Sequence, residues 1–294
     1  MLNRRHALTL AGGAALAGTL PASEPLRRAH AEPLQTWPNR FVRLVVPFPP
    51  GGGTDAIARV VSIKLSEIWG QQMVVENRSG AATNIGTEAV TRADPDGYTL
   101  LFQSMPLAVN RFLFRSLPYD ALADLTPVSL LCEYPNIMAV PVISPAHSVT
   151  DFIAYANANK GKITFASSGH GTSVHLSGEL FKIMTGIDLT HVPYRGSAPA
   201  LTDMISGTVQ VMFDNMPSSL PHIQAGTLRA LGVTTAARSD ALPNVPTVAE
   251  TVPGYEASAF FGMSMPKGTP AEVIEKLNKE INAGLAPGRE GKAC

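Results

Sequence analysis

Arg43 to Asp55 reads RLVVPFPPGGGTD, and the way this stretch turns decides how the rest of the chain is arranged. Leu44, Val45 and Val46 make a short apolar run suited to a buried strand, which Pro47, Pro49 and Pro50 stop. Gly51, Gly52 and Gly53 let the backbone turn sharply with φ of either sign. Thr54 and Asp55 then read as caps of a helix in which Ile57, Val60, Val61, Lys64, Leu65 and Ile68 fall at helical spacing and Gly70 is the stop. A strand that runs through glycines into a helix start leaves backbone N–H groups unpaired at the positive end of the helix dipole, a setting that suits an anion. A carboxylate is the anion expected; the alternative is a tight strand-to-helix connection with no ligand.

The same device recurs down the chain. A strand from Gln72 to Glu76 runs into Asn77-Arg78-Ser79-Gly80, and Asn84 is placed to cap a helix from Ile85 to Ala93. Asp94-Pro95-Asp96-Gly97 is a turn, and the strand Tyr98 to Phe102 delivers Gln103, Ser104 and Met105 to the edge that carries the glycine turns. The apolar, proline-containing run from Leu122 to Val142 holds a strand, Ile137 to Val142, that leaves this first sheet. A second alternating set follows: helix Val149 to Asn159, strand Ile163 to Ala166, then Ser167-Ser168-Gly169-His170-Gly171-Thr172 opening a helix to Thr185. The strand Asp188 to Val192 leads into Pro193-Tyr194-Arg195-Gly196 and the helix Ala198 to Ile205. Val209 to Phe213 delivers Asp214-Asn215 before a helix from Ser218 to Ala225, and Leu228 to Thr234 is a further strand. Ala257 to Met265 returns to the first sheet, and Thr269-Pro270 starts a last helix with Val273, Ile274, Leu277 and Ile281 inward. The expected fold is therefore α/β with two domains and two hinge crossings: 40–140 plus 258–294, and 141–257, facing one cleft.

The first residues read as an export signal. Asn3-Arg4-Arg5-His6 precedes a mildly apolar run, Ala7 to Leu20, and Ala29-His30-Ala31 offers a cleavage site, so 1–31 is expected to be a twin-arginine leader. Cleavage there would remove four of 23 basic and one of 23 acidic residues, leaving a net charge of −3, which argues against nucleic-acid binding. No later apolar run reaches the ~20 residues of a membrane helix. Two cysteines are too few for a disulfide framework; Cys132 reads as a small core residue and Cys294 as a free thiol.

Six segments carry a resemblance: PFPPGGGTDAIARVV, NRSGAATNIGTEAV, DPDGYTLLF, SSGHGTSVHLSGELF, HVPYRGSAPALTDMISGTVQVMFDN and ALPNVPTVAETVPGYE. In this order, over roughly Arg40 to Leu285, they resemble the tripartite tricarboxylate transporter receptor family, also called Bug proteins. The resemblance implies an extracytoplasmic solute receptor, a two-lobed type II-like binding protein that closes on a small mono- or dicarboxylate and serves membrane transporter subunits or a sensor. It carries over as ligand residues Pro50, Gly51, Gly52, Gly53, Thr54 and Asp55; Ala82, Thr83 and Asn84; Ser104; Ser168, Gly169, Gly171 and Thr172; Tyr194, Arg195 and Gly196; and Asp214 with Asn215. Phe48 reads as an apolar wall of the cleft or as core. In the family the carboxylate is held by backbone amides, hydroxyls and bridging waters. The expected protein is a periplasmic monomer with no cofactor, no metal and no catalysis.

Several residues have a second reading. Thr172 and Ser173 read equally as helix caps, and Arg195 either as a bidentate partner of a distal carboxylate or as a solvated surface charge. Asp214 would repel an anion, so it orients backbone or Asn215, or accepts from a ligand amine or hydroxyl. The rival function is a nucleotide-dependent or hydrolytic enzyme. Gly51 to Ala56 lacks the last glycine of G-x-G-x-x-G although Glu76 has about the right spacing, no Gly-Lys-Ser or Gly-Lys-Thr occurs, and a Ser168–His170–Asp214 triad lacks the G-x-S-x-G elbow. His175 and Glu179, four apart, suit a metal but lack a second pair. Two departures from the family stand out. Ser79 replaces a proline and Ala82 and Thr83 replace glycines, and relatives continue past Ala286 with a terminal helix, so exposed apolar surface and reduced stability are expected.

Overall fold

The computed structural model describes residues 37–284; the leader, Cys294 and the atypical C-terminal residues lie outside them. In the first half, β1 (Val42–Val46) lies between β2 (Met73–Asn77) and β3 (Thr99–Gln103), all parallel. The crossovers are α1 (Gly53–Trp69) and α2 (Asn84–Thr91). A further helix, α3 (Met105–Leu113), one that the sequence pattern does not predict, follows β3 with Pro106 in its first turn.

In the second half β5 (Thr164–Ser167) lies between β6 (Thr190–Pro193) and β7 (Val211–Asn215), again parallel. The helices here are α4 (Val149–Ala158), α5 (Ser173–Thr185), α6 (Ser197–Ile205) and α7 (Met216–Gln224).

The halves are joined through β4 (Leu125–Pro141), a single 17-residue strand. Up to Pro135 it pairs antiparallel with β9 (Ser258–Pro266), which also pairs β3; from Asn136 it pairs with β7 and with β8 (Leu228–Val233). The apolar pattern predicts a crossing strand from Ile137. The strand starts twelve residues earlier, at Leu125: Pro127 is tolerated at a register shift, between Pro127 and Ser129, and a second shift falls between Leu130 and Cys132. One strand thus changes partners in mid-course and keeps the two sheets in one continuous order, β2-β1-β3-β9-β4-β7-β5-β6.

Helix α1 ends as its glycine signals: Gly70 is left-handed at φ 63° and its N–H reaches Ser66 O at 3.0 Å. It buries Ile57, Ala58, Val61 and Leu65, whereas Val60, Ile63 and Ile68 stay exposed, so the buried face is narrower than the apolar stripe. The last helix, α8 (Ala271–Gly284), adds Val273, Leu277 and Ile281 to the same core, and Trp69 Nε1 ties α1 to it by donating to Glu280 Oε2 at 2.6 Å. Cys132 packs on that core, as its reading as a small core residue leads one to expect, and it is not a free thiol.

The second core is aromatic, built on Phe152, Phe165, Phe181, Phe213 and Tyr255. The Tyr255 hydroxyl donates to Ser177 O at 2.9 Å, and burial pushes its pKa well up. Gly178 of α5 faces the Phe165 ring so closely that a Cβ would lie 2.5 Å from Cε2. Gly178→Ala is expected to cost about 1–3 kcal/mol by overpacking, lowering the melting midpoint by roughly 3–10 °C. An unchanged midpoint in thermal denaturation would show that the ring yields freely.

Candidate functional site

Parallel strands joined by helices bring their C-terminal ends to one edge, and residues that follow β1 and β3 meet residues at the ends of β5, β6 and β7 around one cavity. Five helices begin there, and their N-caps, Gly52, Ser104, Thr172, Gly196 and Asn215, all line one cavity. Only Thr172 is a side-chain cap, accepting from His175 N–H; the other four have no side-chain capping bond. First-turn N–H groups are therefore left without local partners at the positive ends of several dipoles. Phe48, Pro50, Gly53, Thr54 and Ser168 complete the expected part of the wall.

The cavity is small, ≈ 20 Å³, room for one or two waters. Its closure depends on glycines at the seam. A Cβ on Gly196 would lie 2.9 Å from Pro49 Cγ, and one on Gly53 3.4 Å from Ser218 N. No Lys, Arg, His, Asp or Glu side chain lines it. Among the described residues, the hydroxyls of Thr54, Ser104, Tyr134 and Ser168 make no hydrogen bond to another residue, although Thr54, Tyr134 and Ser168 are buried.

A wider recess of ≈ 440 Å³ adjoins the cavity, sharing Phe48, Ser168 and Thr172 with it. Ala82, Thr83, Gly169, Tyr194 and Arg195 line it, together with His170. Arg195 is exposed and forms no ion pair among the described residues. The Tyr194 hydroxyl is turned away to Asp203 Oδ2 at 2.6 Å, and burial with that carboxylate pushes its pKa up to about 12.

Other expected site residues lie behind these walls. Gly51 is exposed at φ 88°, and its N–H donates to Asp55 Oδ2 at 3.1 Å. The buried Asp55 also accepts from Arg59 Nε at 2.9 Å and Asn77 Nδ2 at 2.9 Å; these bonds outweigh burial and hold its pKa below the usual carboxylate range. The expected caps Thr54 and Asp55 are first-turn residues, since the helix begins at Gly53. Asn84 is likewise the first residue of α2 and not its cap; its Oδ1 accepts from Asn110 Nδ2 at 2.7 Å and Tyr119 Oη at 2.6 Å. Gly171, at φ 74°, packs on Asn110 and Leu113 of α3.

Asp214 is fully buried below the cavity wall. Its carboxylate accepts the hydroxyls of Ser197 at 2.6 Å, Ser218 at 2.5 Å and Ser219 at 2.7 Å, which ties the end of β7 to the starts of α6 and α7. Burial raises its pKa, opposed by those hydroxyls. Both oxygens are thus occupied, and the imagined Ser168–His170–Asp214 triad does not assemble. Asn215 turns its amide to Asn136 Oδ1 at 2.6 Å and Ser173 Oγ at 3.1 Å. Glu76, weighed as a ribose acceptor, pairs with Arg78 Nε at 2.5 Å.

His175 and His191 stack with ring centroids 4.2 Å apart, and Phe165 stacks under His191 at 4.7 Å. Burial, then repulsion from His175 and His170, lowers the His191 pKa to about 3, and burial lowers that of His175. Glu179 stands 3.9 Å from His175 Nε2 but is engaged by Lys182 Nζ at 3.1 Å.

Met105 lines the cavity at the edge where the sequence places it, whereas Tyr134, Ser197, Phe260 and Phe261 on the wall are not foreseen. Tyr134 sits on the partner-switching strand and Phe260 and Phe261 on the returning one, so only pairing of the crossings brings them in. The Pro106 after Ser104 was the one local signal for α3.

Two α/β halves linked by two crossings and closing over the ends of their parallel strands define a two-lobed binding protein of the periplasmic type. The chain belongs to the tripartite tricarboxylate transporter family receptors, whose profile matches residues 57–287. It is 42% identical over 253 residues to BugT of Bordetella pertussis, covering 85% of this chain and 78% of BugT. Among solved structures it is similar to Rpa4515 of R. palustris with adipate (43% identity, TM-score 0.84, 86% of this chain and 85% of that one). It is also similar to MatC of Rhodopseudomonas palustris with bound malate (32% identity, TM-score 0.80, 86% of each chain).

In the turn before α2, Ala81, Ala82 and Thr83 are all left-handed, at φ 46°, 51° and 77°. Each such residue costs an L-amino acid roughly 1 kcal/mol. Ala82→Gly is expected to raise stability by about 0.5–1 kcal/mol, read in urea unfolding; a loss of stability would contradict the strain. For Asp214, the raised pKa means that the native state holds its proton more tightly than the unfolded chain does. That contribution is complete below the ordinary value of 3.8 and is lost as pH rises through the folded value. The unfolding free energy of the wild type minus that of Asp214→Asn should therefore shrink from pH 4 upward; a gap that widens would reverse the assignment.

Proposed function

We propose that this protein is a periplasmic receptor that captures a small mono- or dicarboxylate between its lobes and passes it to a tripartite transporter or a sensor, without chemistry. The observation that carries this reading is the convergence of five helix N-termini and four unspent hydroxyls on a cavity with no ionisable wall residue other than Tyr134. An anion there gains N–H donors and dipoles without displacing a competing carboxylate or meeting a fixed cation. Adipate in Rpa4515 and malate in MatC support the ligand class.

One carboxylate occupies the narrow cavity, held by Gly52, Gly53, Thr54, Ser104, Ser168, Thr172 and Gly196, with Tyr134 as an added hydroxyl donor. The rest of the molecule runs into the wider recess past Ala82, Thr83 and Tyr194 toward Arg195. Asp55, Asn84, Asp214 and Asn215 act one layer back by fixing the turns. The lobes are 40–140 plus 258–294 and 141–257, hinged at β4 and β9; residues 1–31 are a twin-arginine leader and the mature protein is a monomer.

Isothermal titration with four- to six-carbon mono- and dicarboxylates tests the reading. One molecule per chain should bind, raise the melting temperature and be recovered intact; no binding across the panel, or turnover, would overturn it. Gly196→Ala places a methyl against Pro49 only when the lobes are shut. It should weaken binding about five- to a hundredfold, as 1–3 kcal/mol of steric cost implies, with the ligand-free melting temperature unchanged. Wild-type affinity in this variant would show that ligand capture does not need the seam.

A further inference from the structure

Carboxylate capture uses neither His175 nor His191 and gives His170 only a place on the wall of the wider recess. His170 comes from the turn after β5, His175 from the first turn of α5 and His191 from β6, and one ring nitrogen of each lies within 4.8 Å of those of the other two. The parallel register sets His191 beside Phe165, and the positive φ of Gly169 and Gly171 bends His170 back over both rings. His175 and Glu179 were the only pair visible along the sequence; folding replaces that pair with three imidazoles.

We propose that His170, His175 and His191 form a binding site for one borderline transition-metal ion, Zn²⁺, Ni²⁺ or Cu²⁺, at the rim of the wider recess. Imidazole is the ligand type these ions favour. With metal–nitrogen bonds of about 2.1 Å, tetrahedral ligands stand roughly 3.4 Å apart, so nitrogens lying within 4.8 Å of one another have to approach by at most about 1.4 Å. The stacked rings of His175 and His191 have to tilt, because their lone pairs lie in near-parallel planes.

The surroundings suit that adjustment. His191 Nε2 is held 2.7 Å from Ser167 Oγ, which leaves Nδ1 for an ion. His175 Nδ1 accepts from Gly171 N–H at 3.2 Å, a bond the ion would replace, while Nε2 faces Glu179. A hydroxyl and a carboxylate behind ligating imidazoles are the outer partners that orient such rings. Packing on Phe165 explains His175 and His191 by themselves; it does not explain the exposed His170, whose ring stands edge-on to both at 5.5 and 5.1 Å. Three protein ligands leave a fourth position for water or an oxygen donor.

The test uses protein freed of any affinity tag. Calorimetry with Zn²⁺ should give one site per chain, and electron paramagnetic resonance of the Cu²⁺ complex should show coupling to three nitrogens. His170→Ala and the size-conserving His170→Gln should each weaken Zn²⁺ at least tenfold with unchanged melting temperature, and His222→Ala should bind as wild type. No saturable heat, or equal affinity after loss of His170, would overturn the site. Either result leaves carboxylate capture standing, since the narrow cavity contains no histidine.

Discussion

A helix start whose N–H groups are left uncapped is tolerable only where something else supplies the acceptors. Here four such starts and a fifth capped by Thr172 point at one space, and the rest of the architecture follows from keeping them there. Each start has to sit at the C-terminal end of a parallel strand, which dictates alternating strand and helix on both sides. The two edges have to face each other, and that follows from β4 serving both sheets.

The second constraint is closeness. Backbone donors reach only a few ångströms, so the lobes meet through residues without bulk: Gly196 against Pro49, and Gly53 against the start of α7. Asp214 supports this from below. Its carboxylate gathers three serine hydroxyls, two of them near the start of α7 and one at the start of α6, so two helix ends move as a unit with β7. A buried carboxylate without a cation is costly, and the three hydroxyls offset that cost only in this one arrangement.

The turn before α2 shows the opposite compromise. Three consecutive non-glycine residues adopt left-handed backbone beside the wider recess, and at two of them, Ala82 and Thr83, the resemblance leads to an expectation of glycine. Their side chains line that recess, and the turn runs into Asn84, whose side chain is anchored to Asn110 and Tyr119.

Local chemistry by itself determined the alternation of strands and helices, the turn at Gly51 to Gly53, the stop at Gly70 and the membership in a receptor family. Each of these depends on neighbours in the chain: apolar periodicity, glycine φ freedom and short motifs in order. Tertiary structure decided the rest. The partner change within β4, the inclusion of Tyr134 and Phe261 in the cavity, the withdrawal of Asp214 and Asn84 behind it, and the meeting of His170, His175 and His191 all depend on strand pairing between distant segments. Periodicity states which face of a strand is apolar; it does not state which strand lies alongside, and that choice settles which side chains share a wall.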